Sequence, residues 1–360
     1  MEMTPGRIFT EKLLRWHREE NRRQMPWKGE KDPYRIWISE VILQQTRVEQ
    51  GLAYYQRFVE AYPGILQLAK APDAEVFKKW EGLGYYSRCR NMLAAARLIA
   101  ETYKGVFPKT YHEILALKGI GPYTAAAISS FAYNLPYAVT DGNVMRVLSR
   151  FFAIHADVST GAGKKKLAGL AQSLLPPKKS ALFNQAIMDF GATVCKPMAP
   201  ACGICPLASD CLAFRRQEVS KLPVKTPKPP RKKRFFYYLL IEHKGKIAVK
   251  QREGNDIWRH LHEFFLFETP KAQTAGSCLK SAPMSSVIGK DFTVVFASKP
   301  YRQLLTHQEI SGFFLHIRVK KRPELQGFEW LSPEQISKKA FPRFINFFLD
   351  DYFRKKADQA

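Results

Sequence analysis

Leu117-Lys-Gly-Ile-Gly-Pro-Tyr-Thr-Ala-Ala-Ala127 sets two glycines and a proline between two apolar segments. Gly119 and Gly121 permit a tight turn, and Pro122 suits the first position of a following helix. The free N–H groups at that helix start can face a phosphate. By itself the pattern suits a plain helix–helix connection equally well. Outward from the turn, apolar residues recur at helical spacing over roughly 8–22, 35–60, 73–80, 86–103, 111–118, 123–132, 141–153, 164–175 and 179–191. Pro33, Pro63, Pro72, Pro108, Pro122 and Pro136 fall at or near the ends of these segments, as helix punctuation should. Residues 1–219 read as an all-α domain.

Residues 220–234, Ser-Lys-Leu-Pro-Val-Lys-Thr-Pro-Lys-Pro-Pro-Arg-Lys-Lys-Arg, hold four prolines, seven cations and no acid. Such a stretch can neither propagate a helix nor pack as a core strand, so it reads as a linker. Beyond it, short aromatic and β-branched runs at 235–242, 246–250, 264–268, 292–297 and 312–319 precede a closing helix over about 341–353. Residues 235–360 read as a second, α+β domain.

The 360 residues carry 57 Lys and Arg against 32 Asp and Glu, a net charge of +25, with 46% apolar residues. General disorder and collagen-like structure are excluded by that apolar content. No apolar run is long enough to cross a membrane, and the charged first twenty residues do not resemble a signal peptide, so a soluble cytoplasmic protein is expected. The excess charge is shared, +11 over 1–219, +7 over 220–234 and +7 over 235–360. Generic solubility explains such an excess less well than a nucleic-acid partner, whose phosphates need distributed Lys and Arg.

Cys195, Cys202, Cys205 and Cys211 are spaced C-x6-C-x2-C-x5-C. Two cysteines two residues apart can grip one metal centre from a single turn, and Cys195 can close it from the other side. Thiolates favour iron–sulfur clusters and zinc, and ligand chemistry alone leaves both open. Cys89 and Cys278 stand apart and read as packing residues.

Two acids also stand out. Glu40, in Ile36-Trp-Ile-Ser-Glu-Val-Ile-Leu-Gln-Gln-Thr46, has almost only apolar or amide neighbours, so a helix there carries a carboxyl into or beside a core. Burial raises a carboxyl pKa, as a general acid requires; a structural carboxyl paired with an Arg is the alternative. Asp141, in Val139-Thr-Asp-Gly-Asn-Val-Met-Arg146, precedes a helix and can be its N-cap, a catalytic carboxylate, or both.

The hairpin, Asp141 and the cysteine loop together resemble the helix-hairpin-helix DNA glycosylases of the endonuclease III superfamily. Pro26-Trp27, Ser39 to Thr46, Trp80-Glu-Gly-Leu-Gly-Tyr-Tyr-Ser-Arg88, Asp141-Gly-Asn-Val144 and Phe183-Asn-Gln-Ala186 are similar to the adenine glycosylases of that superfamily, the MutY family. The match spans most of residues 7–215. The resemblance implies a multidomain chain: an all-α helix-hairpin-helix glycosylase domain with an iron–sulfur loop, then an α+β Nudix-like domain that reads 8-oxoguanine. It implies monofunctional excision of adenine mispaired with 8-oxoguanine or guanine in double-stranded DNA, by a monomer associated with a bacterial-type nucleoid. Glu40 matches the proton donor to adenine and Asp141 the carboxylate that stabilises or bonds the sugar cation, with Tyr123 and Asn143 positioning them. Arg23, Trp27, Lys28 and Gln185 match an adenine pocket. Gln45 and Tyr85 match wedges around 8-oxoguanine, with Gly119 and Gly121 at the phosphate turn. A [4Fe-4S] cluster would be held by Cys195, Cys202, Cys205 and Cys211.

The family's lyase branch carries a lysine where this chain has Tyr123, so no amine nucleophile is available there. Met145 likewise stands where some adenine glycosylases have lysine. The lesion-reading Phe-Ser-His loop corresponds to Leu305-Thr306-His307, which keeps a hydroxyl and an imidazole. The second domain lacks the acidic signature of nucleotide-hydrolysing Nudix enzymes. Two other readings share the first domain: a thymine or uracil mismatch glycosylase, and a non-enzymatic lesion binder, which would not need both acids.

Overall fold

The computed structural model describes residues 4–227, 229–281, 286–289 and 291–357. The chain forms two compact units, Met1–Lys70 with Arg90–Pro227, and Ala71–Cys89 with Lys228–Ala360. The sequence divides at 219 and 235; the structure divides at 227 and also groups residues 71–89 with the C-terminal half.

The first unit is helical. Its elements are α1 (Pro5–Glu19), α2 (Pro33–Leu43), α3 (Val48–Ala61) and α4 (Ile65–Lys70), then α7 (Tyr111–Ala116), α8 (Pro122–Tyr133), α9 (Gly142–Phe151), α10 (Gly161–Leu174), α11 (Ser180–Thr193) and the short α12 (Leu212–Arg215). Helix α5 (Asp73–Trp80) lies in the second unit, and α6 (Tyr86–Thr102) begins there and continues into the first. Helices α1, α2 and α9 start at side-chain caps, Thr4, Asp32 and Asp141, which satisfy amide groups the helix itself leaves open. Phe9, Trp16, Leu148, Phe183, Ile187 and Phe190 are among the residues of one buried core. Helices α9 and α11 approach closely at Gly191, where a Cβ would stand 2.7 Å from the Asn143 Cβ.

The hairpin turn places Gly119 at φ +82°, a left-handed conformation that an L side chain resists. A Cβ there would also meet Asn91 at 2.5 Å. Gly121 caps α8 without a side chain, and space is open beside it.

The second unit holds an eight-stranded mixed sheet whose path runs β3-β2-β1-β7-β5. The strands are β1 (Lys232–His243), β2 (Lys246–Gln251), β3 (His262–Glu263), β4 (Phe265–Thr269), β5 (Phe292–Ala297), β6 (Tyr301–Leu304), β7 (Gln308–Val319) and β8 (Glu329–Leu331). β4, β6 and β8 pair with β1, β7 and β2 off that path, and only β1 and β7 run parallel among the described pairs. Alternate residues of β1 enter opposite cores: Phe236, Tyr238 and Leu240 pack on the side of the closing helix Arg343–Ala357, and Tyr237, Leu239 and Ile241 on the other. A strand covered on both faces reads as a continuous apolar run, which is why 235–242 stood out in the sequence.

Three expectations need correction. The segment 35–60 is two helices, because Gln44 to Arg47 leave the helical path with Gln45 at φ +57°. Apolar periodicity cannot register that break, since both helices bury residues on either side of it. The linker is also more ordered than its composition suggests. Leu222 O accepts from Arg150 Nε at 2.9 Å, Val224 O from Val158 N at 3.0 Å, and Thr226 N donates to Asp157 Oδ2 at 3.2 Å. Prolines bar a helix but leave carbonyls as acceptors. Finally, Lys232 to Arg234 open β1 instead of preceding it, paired with Gln308 to Ile310 of β7.

Candidate active site

Helices α2, α8 and α11, the start of α9 and the loop after α1 surround one cavity of about 720 Å³. Glu40, Tyr123, Asp141, Asn143, Arg23, Trp27, Lys28, Gln185 and Gln45 all line it. Nine of the residues singled out in the sequence thus converge from segments far apart in the chain.

Glu40 is buried on α2, where apolar neighbours leave its carboxyl few polar partners. Burial, reinforced by the negative charge of Asp141, pushes its pKa up to about 7 against a hydrogen bond from the Tyr123 hydroxyl. Tyr123, half-buried beside both acids, has its pKa held well above its ordinary value by loss of solvent and by their charges, and stays a neutral donor.

Asp141 differs from Glu40 in its partners. It caps α9, with Oδ1 accepting from Val144 N at 2.8 Å and Oδ2 from Asn143 Nδ2 at 2.7 Å. Burial raises its pKa, while those two donors and Arg146 pull it down. The N-cap and site roles left open by the sequence belong to the same side chain.

Arg146, which the sequence did not single out, fixes Asn143. It donates to Asn143 Oδ1 and Gly191 O, both at 2.8 Å, and to Cys195 O at 2.8 Å. Arg150, one turn on, donates to Lys196 O at 2.7 Å and Pro197 O at 3.1 Å and lies 3.5 Å from Cys195 Sγ. Asn184 is a third unexpected part: it joins Ser130, Tyr137 and Val139, fixing the strand-like approach to Asp141. Only the spacing of Arg146 and Arg150 on an apolar helix next to Asp141 hinted at these roles.

Cys195, Cys202, Cys205 and Cys211 are free thiols around one cavity walled by Val147, Phe151, Phe190, Val194 and Leu207. Burial and mutual repulsion raise the thiols of Cys202, Cys205 (to about 11) and Cys211. Among the described residues, no three His, Cys, Asp or Glu side chains form a group able to hold a metal ion as they stand. Four unpaired thiols facing an apolar cavity suit a group that would take them as thiolates and cancel their charge.

In the second unit, Tyr85 and Thr306 meet: their hydroxyls lie 2.6 Å apart. His307 is exposed at the turn between β6 and β7, and its carbonyl accepts from Lys232 N at 3.0 Å. Among the described residues no helix is long and apolar enough to cross a membrane.

This helical fold with its hairpin and paired carboxyls defines a class, and residues 38–177 match the HhH-GPD superfamily of base excision DNA repair proteins; residues 236–351 match the NUDIX domain. The chain belongs to the adenine DNA glycosylase family. It is 35% identical over 261 residues to the adenine DNA glycosylase of Buchnera aphidicola subsp. Acyrthosiphon pisum (strain APS), covering 72% of this chain and 75% of that one. It is 42% identical over 223 residues to the adenine DNA glycosylase of Homo sapiens, covering 59% and 41% respectively. A thermostable thymine-DNA glycosylase structure matches with TM-score 0.53 at 30% identity, over 59% of this chain and 97% of its own. A non-covalent endonuclease III–DNA complex matches with TM-score 0.52 at 20% identity, over 60% and 99%, a likeness of fold.

The raised pKa of Glu40 carries a cost to stability. In the unfolded chain this carboxyl ionises near its ordinary 4.5, and in the fold near 7. The neutral form's contribution is complete below the lower value and is lost as pH rises through the higher one. Glu40→Gln is therefore expected to match the parent below pH 4.5 and exceed it at pH 8 by about 3 kcal/mol, as denaturant unfolding at the two pH values will measure.

Proposed function

We propose that this chain is a monofunctional DNA glycosylase of base excision repair that hydrolyses the N-glycosidic bond of adenine mispaired with 8-oxoguanine or guanine. The observation that carries the reading is the pair Glu40 and Asp141 opening on one cavity in unlike surroundings. An N-glycosidic bond breaks through an oxocarbenium-like state, so one acid must protonate the departing base while one carboxylate faces the sugar. Glu40, whose raised pKa of about 7 keeps a large protonated fraction near neutral pH, is the donor. Asp141, with its hydrogen-bond donors, is the carboxylate that stabilises or bonds C1′. The bonding pair leaves with adenine together with the Glu40 proton; water then takes C1′, and its proton restores the acid.

Adenine inside a duplex cannot reach such a cavity, so it must be flipped out. Arg23, Trp27, Lys28 and Gln185 receive it, and Tyr123 and Asn143 hold the two acids. Gln45, on the break between α2 and α3, and Tyr85, with the wedges' amide and aromatic surface, fill the space the base leaves. Gly119 and Gly121 let the backbone amides of the hairpin face a phosphate. Single-turnover assays on duplexes with adenine, thymine or uracil in a mispair test the whole reading. Adenine alone is expected to be released, Glu40→Gln should abolish release, and the strand should stay whole until alkali is added, because Tyr123 offers no amine. Release of thymine or uracil at a comparable rate overturns the assignment.

The cysteine loop is read as the seat of a [4Fe-4S] cluster. Cys195, Cys202, Cys205 and Cys211 would hold the cluster as thiolates at the apolar cavity that they line. The cluster would supply a rigid cross-link for the loop, and no step of base release runs through it. Elemental analysis of anaerobically purified protein should find about four irons per chain; one zinc and no iron would refute the cluster.

Residues 235–360 are read as the part that distinguishes 8-oxoguanine from guanine. Thr306 and His307 offer a hydroxyl and an imidazole at an exposed turn, next to the Tyr85 hydroxyl. The two bases differ in hydrogen-bonding groups, and losing such contacts costs about 1 to 3 kcal/mol of discrimination. In the full chain, Thr306→Ala with His307→Ala should shrink the rate advantage of 8-oxoguanine duplexes at matched salt while sparing release opposite guanine. An unchanged ratio would assign the reading elsewhere.

A further inference from the structure

Asp189 lies on α11 with its side chain wholly buried, and no step of base release uses it. Its Oδ1 accepts from Arg23 Nη1 at 2.9 Å and its Oδ2 from Asn21 Nδ2 at 2.8 Å, while Lys28 Nζ stands 3.2 Å from Oδ2. Arg23 and Lys28 line the cavity together with Gln185, which precedes Asp189 by one turn of the same helix.

The segment from Asn21 to Met25 has no regular secondary structure. It is held through side chains: Asn21 Oδ1 accepts from Arg23 N at 3.0 Å, and Lys28 Nζ donates to Arg23 O at 2.7 Å. Asp189 is the buried anchor of that arrangement. Two cations beside a base that must gain a proton would oppose the protonation unless an anion offset them. His17, on the same wall, adds little charge, since burial and then Lys28 lower its pKa.

We propose that Asp189 is a positioning residue of the base subsite: it fixes Arg23 and Lys28 against the cavity and offsets their charge, so that the subsite takes a neutral aminopurine that gains a proton as it leaves. The proposal rests on the adenine reading above. Asp189→Asn keeps the shape and removes the charge, and the pair Arg23→Gln with Lys28→Gln removes the groups through which Asp189 acts.

The test uses the full-length protein and follows single-turnover adenine release and the Kd for a duplex carrying a non-cleavable 2′-fluoro adenosine. Asp189→Asn should slow release by up to about 100-fold with Kd within about threefold, the pattern of misplaced groups at a reacting centre. In the Arg23→Gln, Lys28→Gln background the same change should alter the rate less than about threefold, because residues acting through one another are not additive. Equal losses in both backgrounds, or a parental rate in Asp189→Asn, overturn the proposal. If Asp189→Asn fails to fold by thermal melting, Asp189→Glu decides. A displaced carboxylate that slows release about tenfold at unchanged Kd supports positioning, and a parental rate refutes it. Failure of the parent to release adenine from any mispair would instead overturn the underlying reading.

Discussion

A single guanidinium joins the parts of the helical unit on which its chemistry depends. Arg146 reaches from α9 to Asn143, to the Gly191 carbonyl at the end of α11 and to the Cys195 carbonyl at the start of the cysteine loop. Burial lowers its pKa, yet carbonyl acceptors on several sides hold the charge. Removing one of those partners would leave a buried guanidinium N–H unpaired, a larger penalty than the loss of one surface hydrogen bond. The position of Asn143, and through it the Asp141 carboxylate, therefore depends on the loop being folded. Gly191 is part of the same constraint, because a Cβ there would push the Asn143 Cβ away.

The two acids show how one environment yields two roles. Glu40 is buried and Asp141 half-buried, and loss of solvent raises the pKa of both. Glu40 receives the Tyr123 hydroxyl and little else, so its pKa rises to about 7 and a large fraction stays protonated near neutrality. Asp141 sits where a helix start supplies a backbone N–H, with Asn143 and Arg146 adding to it. Unequal hydrogen bonding within a shared cavity, together with the deeper burial of Glu40, separates donor from carboxylate.

Helices with strong periodicity were legible in the sequence to within a residue or two, as at Asp73–Trp80 and Tyr86–Thr102. The short elements Ile65–Lys70, Tyr301–Leu304 and Glu329–Leu331 were not, because segments of that length hold too few residues to establish a period. Glu40 was legible because a carboxyl among Ile, Trp, Val and Leu must either pair with a cation or have its pKa raised, and both readings mark it as special. Arg146, Asn184 and Asp189 were not, since each acts through carbonyls or side chains brought together only by the packing of α9 and α11 on their neighbours. Composition marks a linker by what its prolines forbid, and it gave no sign that Leu222, Val224 and Thr226 would lie against α9 and the turn at Asp157.

The grouping of residues 71–89 with the C-terminal half gives the second unit a composite character. Phe341 N donates to Glu81 Oε1 at 2.8 Å, Lys78 Nζ donates to Lys339 O at 2.9 Å, and Tyr85 meets Thr306, all within that unit. A cut in the proline-rich linker would thus remove the partners of α5 and of Tyr85 along with the sheet. Side-chain substitutions at Thr306 and His307 keep the sheet, because β6 and β7 are paired through their backbones and do not need those two side chains to stay in register, and of the contacts of Tyr85 they remove only the Thr306 hydroxyl. Loss of discrimination in such variants is then assigned to the hydroxyl, the imidazole and the Tyr85–Thr306 hydrogen bond, with the sheet and the contacts of α5 kept.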